Sequence, residues 1–224
     1  MTYDAVLFDN DGVLVEPPPL ELLTEAAADA FAAVGVEDPS EADVDAISYG
    51  VTPDRLRDVC STYDVEVQDF WQTRDRTASD AQVASMRRGG KPRYDDVATL
   101  DSLADPLGIV STNQQATIDA ILSHHDLDSL FETAHGRPPT VASLRRKKPE
   151  PYYLDRALAD LDAESALFIG DSETDVLAAS RAGIDSAFIR RSHVAAVELD
   201  VTPTYDLDSL WDLHELPGVT LAEN

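Results

Sequence analysis

Tyr3-Asp4-Ala5-Val6-Leu7-Phe8-Asp9-Asn10-Asp11-Gly12 runs from a short apolar stretch directly into a carboxylate-rich turn. Such a run reads as a buried strand stopped by a polar loop. Pro17, Pro18 and Pro19 then exclude regular structure. Leu20, Leu23, Ala27, Ala30, Phe31 and Val34 keep helical spacing up to Gly35. A short helix is expected over 40–47. Thr52 and Pro53 supply an N-cap and first helical residue for the next, and a longer helix spans 68–86 before Gly89-Gly90. From Tyr94 the pattern alternates. Val97, Leu100 and Leu103 mark a helix, 107–110 a strand, 118–122 a helix, 154–161 a helix, 166–169 a strand, 174–181 a helix and 186–189 a strand. Strands alternating with helices predict an α/β fold, a doubly wound parallel sheet covered on both faces. Residues 16–90 form an all-helical insert, and residues 1–15 and 91–224 form the core. Linkers at the prolines and at Gly89-Gly90 let the insert hinge as a lid.

Charge narrows the function. Forty-three acidic residues face seventeen basic ones, a net charge of −26, and lysine occurs only at 91, 147 and 148. Such a surface repels nucleic acid and anionic lipid. It also repels phosphorylated substrates at long range, so a phosphate site needs local positive charge and a metal. Sparse lysine with abundant Asp, Glu, Ala and Val is similar to proteins of extreme halophiles, whose KCl-rich cytosol screens self-repulsion. The lone Cys60 suits a reducing compartment. No signal segment or membrane-length apolar run is seen, so a cytoplasmic protein is expected.

Ligands of open parallel sheets bind beyond the carboxyl ends of the strands, and four motifs fall there. In Asp9-Asn10-Asp11-Gly12, two carboxylates can converge, one to attack an electrophile and one to move protons. Hard oxygens also suit magnesium, although a solvated Asx turn would use the same residues. Ser111-Thr112-Asn113 offers hydroxyls and amides at a strand-to-helix turn, for a phosphate oxygen or a plain N-cap. In Arg145-Arg146-Lys147-Lys148-Pro149, the two arginines read as a solvated patch. Pro149 ends any helix before Lys148 and places that residue just ahead of one, where it can neutralise phosphate. In Gly170-Asp171-Ser172-Glu173-Thr174-Asp175, Asp171 stands at a strand tip and Asp175 one helical turn on, as cation ligands or as a capping turn.

In order and placement these motifs resemble the haloacid dehalogenase-like hydrolase superfamily over roughly residues 3–200. The likeness is nearest to its phosphoglycolate phosphatase-like branch, with a Rossmann-like core and a helical cap after the first motif. Lys148-Pro149-Glu150-Pro151-Tyr152-Tyr153-Leu154 and Gly170-Asp171-Ser172 carry it most specifically. The resemblance implies Asp9 as a nucleophile forming an aspartyl-phosphate and Asp11 as acid, then base. It implies a phosphoryl oxygen held by Ser111 or Thr112, with Ser111 preferred because it leaves Ile121 and Leu122 better placed. Lys148 would brace the charge of nucleophile and phosphate. Mg2+ would be held by Asp171, the Asp9 carboxylate and the Asp11 carbonyl, with Asp175 supporting directly or through Lys148. Dehalogenase members need no acid at the position of Asp11, so its presence argues for phosphate chemistry.

The cap is expected to choose a small phosphoester, with Tyr49 and Arg55 as candidate contacts; packing and an exposed ion pair are the plainer uses. His124-His125 reads as a surface pair near a helix end, and Trp71 and Trp211 as packing residues. The expected function is phosphomonoester hydrolysis. A phosphomutase of the β-phosphoglucomutase type and a non-catalytic binding protein are its rivals.

Overall fold

The computed structural model describes residues 2–222; Met1, Glu223 and Asn224, part of the sequence-based core range, lie outside the described residues. Strand β1 (Ala5–Phe8) leads into four consecutive helices, α1 (Leu20–Ala33), α2 (Glu41–Ser48), α3 (Pro53–Thr62) and α4 (Val67–Arg87). Strands and helices then alternate: β2 (Leu107–Gln114), α5 (Gln115–His124), β3 (Thr133–Arg137), α6 (Tyr152–Asp160), β4 (Ala166–Gly170), α7 (Glu173–Ala182), β5 (Asp185–Ile189) and β6 (Tyr205–Leu207). All six strands pair in parallel in the order β3-β2-β1-β4-β5-β6. The chain moves outward from β1 to one side through β2 and β3, then to the other through β4, β5 and β6. The crevice beyond the carboxyl end of β1 is therefore the topological switch point, where such sheets bind ligands.

Period-two alternation divides the sheet between two apolar layers. Val6, Phe8, Leu167 and Ile169 face Ile118 and Leu122 of α5, together with Val97, Leu100, Leu210 and Leu213. Ala5, Leu7, Ala166 and Phe168 face Leu154 and Ala157 of α6 and Ala178 and Ala179 of α7. Both faces are buried, which explains why β1 and β4 are continuously apolar.

The helical insert has a core of its own, built from Ala30, Phe31, Ile47, Leu56, Val59, Cys60, Phe70 and Trp71. Its helix starts follow local chemistry: the Ser40 and Thr52 side chains accept from Asp43 N and Arg55 N, and Pro53 occupies the first turn of α3. Leu144, from a 3-10 turn over Val141–Arg145 in the second half of the chain, joins the same cluster. The two linkers run side by side, with Glu16 N donating to Pro92 O at 3.0 Å and Val15 bridging to Arg93.

Two sequence expectations are corrected. The helix expected at Val97, Leu100 and Leu103 is a 3-10 helix, Asp95–Ser102. Its apolar spacing of three is the 3-10 period. The strand expected to end at Val110 runs to Gln114, so Ser111, Thr112 and Asn113 lie in β2 and not in the turn after it. Beyond a register shift, Gln114 pairs with Arg137, so the polar end of the strand is still supported by a neighbour. The stretch from His135 to Lys147 starts in edge strand β3 and goes on through the 3-10 turn over Val141–Arg145.

Candidate active site

The loop after β1 is folded by its own backbone. The Asn10 carbonyl accepts from the amides of Val13, Leu14 and Val15, and Gly12 turns at φ +80°. A Cβ at Gly12 would also overlap the Asp171 carboxylate. From the far side, Arg191 donates to Val13 O at 2.7 Å and pairs with buried Asp96 at 2.6 and 2.9 Å. This frame leaves Asp9 buried at the tip of the central strand, its Oδ1 accepting from Asn10 N at 2.7 Å.

Lys148 lies in the turn before α6, several residues ahead of the first helical residue. Its Nζ is 2.9 Å from Asp9 Oδ2, 2.5 Å from Asp175 Oδ1 and 3.3 Å from Val110 O. Burial alone pulls its ammonium down, but Asp175 and Asp9 outweigh burial and hold it above the ordinary lysine range. Asp175 is 1% exposed and closes a capping box at the start of α7, accepting from Ser172 N and Oγ. Asp175 thus meets Asp9 through Lys148. A Cβ at Gly170 would overlap the Asp175 side chain, so glycine is required there.

Carboxylate oxygens of Asp9, Asp171 and Asp175 lie within 4.8 Å of one another. Burial pushes Asp9 up to about 7, Lys148 pulling back and Asp175 and Asp171 adding to the rise. Burial, then Asp175, likewise pushes Asp171 up to about 7. Three crowded carboxylates against one ammonium are an under-compensated anionic site. An all-oxygen donor set of that charge fits a hard divalent cation. His193 Nε2 sits 2.7 Å from Asp171 Oδ2, a neighbour the sequence motifs did not reveal.

Asp11 is absent from that trio. Its Oδ1 is 2.5 Å from Lys91 Nζ and 2.9 Å from Asn10 Nδ2, and its Oδ2 accepts from Asn113 Nδ2 at 2.7 Å. Lys91 had no assigned role in the sequence. Its scarcity was the available signal, since it is one of three lysines and falls in the second linker. Ser111 is buried next to Val110, the residue whose carbonyl Lys148 contacts, and its Oγ accepts from Asn113 N at 3.3 Å. Thr112 is half-buried, and its carbonyl accepts from Arg137 Nε at 3.2 Å.

The insert overhangs this cleft. Arg74 of α4 donates to the carbonyls of Ile47 and Ser48, fixing the end of α2 where Tyr49 follows. Burial, then the charges of Asp171, Asp9, Asp11 and Asp175, raises the Tyr49 phenol above its usual value, although the residue as a whole is 72% exposed. Lys147 donates to Val51 O at 2.6 Å, joining the turn before α6 to the loop that carries Tyr49. Burial, followed by the charges of Arg137, Arg74 and Arg55, lowers its ammonium below the ordinary lysine range. Arg145 and Arg146 stay exposed, and Arg146 stacks on Tyr152 at 4.5 Å. His124 and His125 meet edge-on at the end of α5, with His125 Nε2 3.1 Å from Lys91 O. Trp71 is buried in the insert and Trp211 is half exposed.

Among the described residues, no helix is long and apolar enough to cross a membrane. The family model of haloacid dehalogenase-like hydrolases matches residues 6–189. Pyrophosphatase PpaX of Anoxybacillus flavithermus is 30% identical over 227 residues, covering 98% of this chain and 99% of that protein. PpaX of Bacillus cereus is 30% identical over 123 residues, 54% of this chain and 55% of that one. Among solved structures, CbbY from Rhodobacter sphaeroides in complex with phosphate aligns with a TM-score of 0.68 at 22% identity, over 95% of this chain and 96% of that one. A subfamily IA hydrolase of the same superfamily from Geobacter sulfurreducens aligns with a TM-score of 0.58 at 19% identity, over 95% of each chain. The structural likenesses bear on the fold alone. A family model spanning most of the chain and a relative matched over nearly its whole length lead to one assignment: the protein belongs to the haloacid dehalogenase-like hydrolases.

Proposed function

We propose that the protein is a magnesium-dependent phosphatase of small phosphomonoesters, acting through a phosphorylated Asp9. The observation that carries this is the placement of Asp9 at the switch point of the sheet, 2.9 Å from Lys148 and grouped with Asp171 and Asp175. An Asp9 oxygen bonds to phosphorus as the bond from phosphorus to the leaving oxygen breaks. Asp11 gives that oxygen a proton, then takes one from the water that releases inorganic phosphate and restores Asp9. General acid catalysis of this kind contributes roughly 10²–10⁴-fold. Lys148 offsets the repulsion between carboxylate and phosphate, and the Ser111 hydroxyl holds a phosphoryl oxygen. Asp9, Asp171 and the Asp11 carbonyl would hold Mg2+, with Asp175 in support, and the ion would supply further charge neutralisation.

Residues 16–90 serve as a cap that selects the substrate, with Tyr49 and Arg55 at the cleft. The family likeness supports a phosphoglycolate- or sugar-phosphate-like substrate. A relative named pyrophosphatase over nearly the whole chain adds pyrophosphate to the candidates. The acidic composition supports a salt-rich cytoplasm as its setting. The test is phosphate release from a panel of metabolite phosphoesters and pyrophosphate in concentrated KCl, with and without Mg2+. Release that requires both Mg2+ and Asp9 supports the reading. Full turnover by Asp9→Asn overturns the mechanism, and an isomerised ester without free phosphate indicates a mutase.

A further inference from the structure

Lys91 is 2% exposed, and its ammonium reaches into the polar cluster around Asp11. It sits between Gly90 and Pro92 in the second linker, and touches Asp11 Oδ1 at 2.5 Å and Gln82 Oε1 at 3.5 Å. Gln82 belongs to α4 of the insert and is itself buried. The same Gln82 oxygen accepts from Asn113 Nδ2 at 3.0 Å, and Gln82 Nε2 donates to Asn113 Oδ1 at 3.3 Å. Asn113 in turn grips Asp11 Oδ2. One insert residue thus holds both of the groups that hold Asp11 from outside its own loop. Of these two, Lys91 alone supplies a full charge, which makes the stronger hydrogen bond.

We propose that Lys91 is a positioning residue that sets the orientation of Asp11, and that Gln82 makes this grip depend on the seating of the insert. The inference rests on the reading of Asp11 as the acid for the leaving group. Misplacing a catalytic group by about 1 Å can cost roughly 10²-fold.

The experiment compares kcat/KM for alkyl phosphates and for p-nitrophenyl phosphate, whose leaving group departs without an acid. Lys91→Met keeps the buried stem and removes the ammonium. Its kcat/KM should fall by roughly 10²-fold on alkyl phosphates while the aryl ester is spared. Combined with Asp11→Asn, Lys91→Met should cause no further loss, because Lys91 acts through Asp11. Gln82→Leu, which removes the insert's hold on Lys91 and Asn113 but keeps both residues, should give the same selectivity on a smaller scale, and decides the matter if Lys91→Met does not fold. Equal losses on both ester classes, no loss, or an additive loss in the Asp11→Asn background overturns the inference and leaves the phosphatase reading standing. A wild-type protein that releases no phosphate from any ester overturns both.

Discussion

Asp75 of α4 and Arg137 of β3 form a two-pronged ion pair, at 2.7 and 2.8 Å, between the helical insert and the sheet. Their side chains are 1% and 5% exposed. Arg137 also donates to Ser143 Oγ and lies over the Trp71 ring, and Gln114 Nε2 donates to Asp75 at 3.2 Å. Any opening that parts α4 from β3 must break this pair. Removing one partner leaves a buried charge uncompensated, so Asp75→Ala should lose about 3–5 kcal/mol in denaturant unfolding. Replacing both, Asp75→Leu with Arg137→Met, should recover much of that loss.

Lys148 bridges Asp9 and Asp175. Lys148→Met should lower kcat by roughly 10²–10³-fold, the scale of losing one charge-stabilising donor in a preorganised site. Steady-state phosphate release at saturating Mg2+ measures it. A loss confined to KM would point to binding alone.

The raised values of Asp9 and Asp171, each about 7 against an ordinary 3.8, set a direction for stability. Between about pH 4 and 7 the folded protein holds protons that the unfolded chain has released. The contribution of these two groups therefore falls as pH rises through that window. A divalent cation needs both carboxylates ionised, so Mg2+ should raise Tm more at pH 8 than at pH 5. Calorimetry with Mg2+ and with chelator compares the two, and a shift independent of pH would contradict the assignment.

Gly12→Ala should weaken Mg2+ binding while the fold persists. The new methyl group meets the Asp171 carboxylate, and the backbone at φ +80° disfavours any side chain. Titrating Mg2+ against Tm for both proteins provides the comparison.

A net charge of −26 makes self-repulsion a large opposing term at low ionic strength. Tm should rise with KCl from about 0.1 M to 1 M, as screening shortens the range of that repulsion to about 3 Å. An unchanged Tm would remove the support for a salt-rich setting.

The central strands were legible because burial on both faces leaves β1 and β4 no polar positions. The same logic hid the edges. β3 reads Thr-Ala-His-Gly-Arg and β6 is three residues long, and neither displays an apolar run. Ser111 was found as a candidate but misplaced into a turn, because an apolar run that stops was read as a strand that stops. In the site, Asp9, Lys148 and Asp175 stood out by motif, and the structure brings them together. Lys91, Gln82 and His193 belong to no spacing pattern. They reach Asp11, Asn113 and Asp171 across 80, 31 and 22 residues of sequence, and only the folded chain shows those meetings.

The three lysines share a fate that their sequence positions conceal. The ammonium of Lys91 is held by Asp11, that of Lys147 by the Val51 carbonyl and that of Lys148 by Asp9 and Asp175. Arginine supplies every other fixed cation, at the surface and in the buried pairs alike. An ammonium is a compact point charge on a flexible stem, whereas a guanidinium is a planar fork. A reagent selective for primary amines consequently finds its side-chain targets clustered at one cleft, and the extent of acylation becomes a direct gauge of how far that cleft stands open.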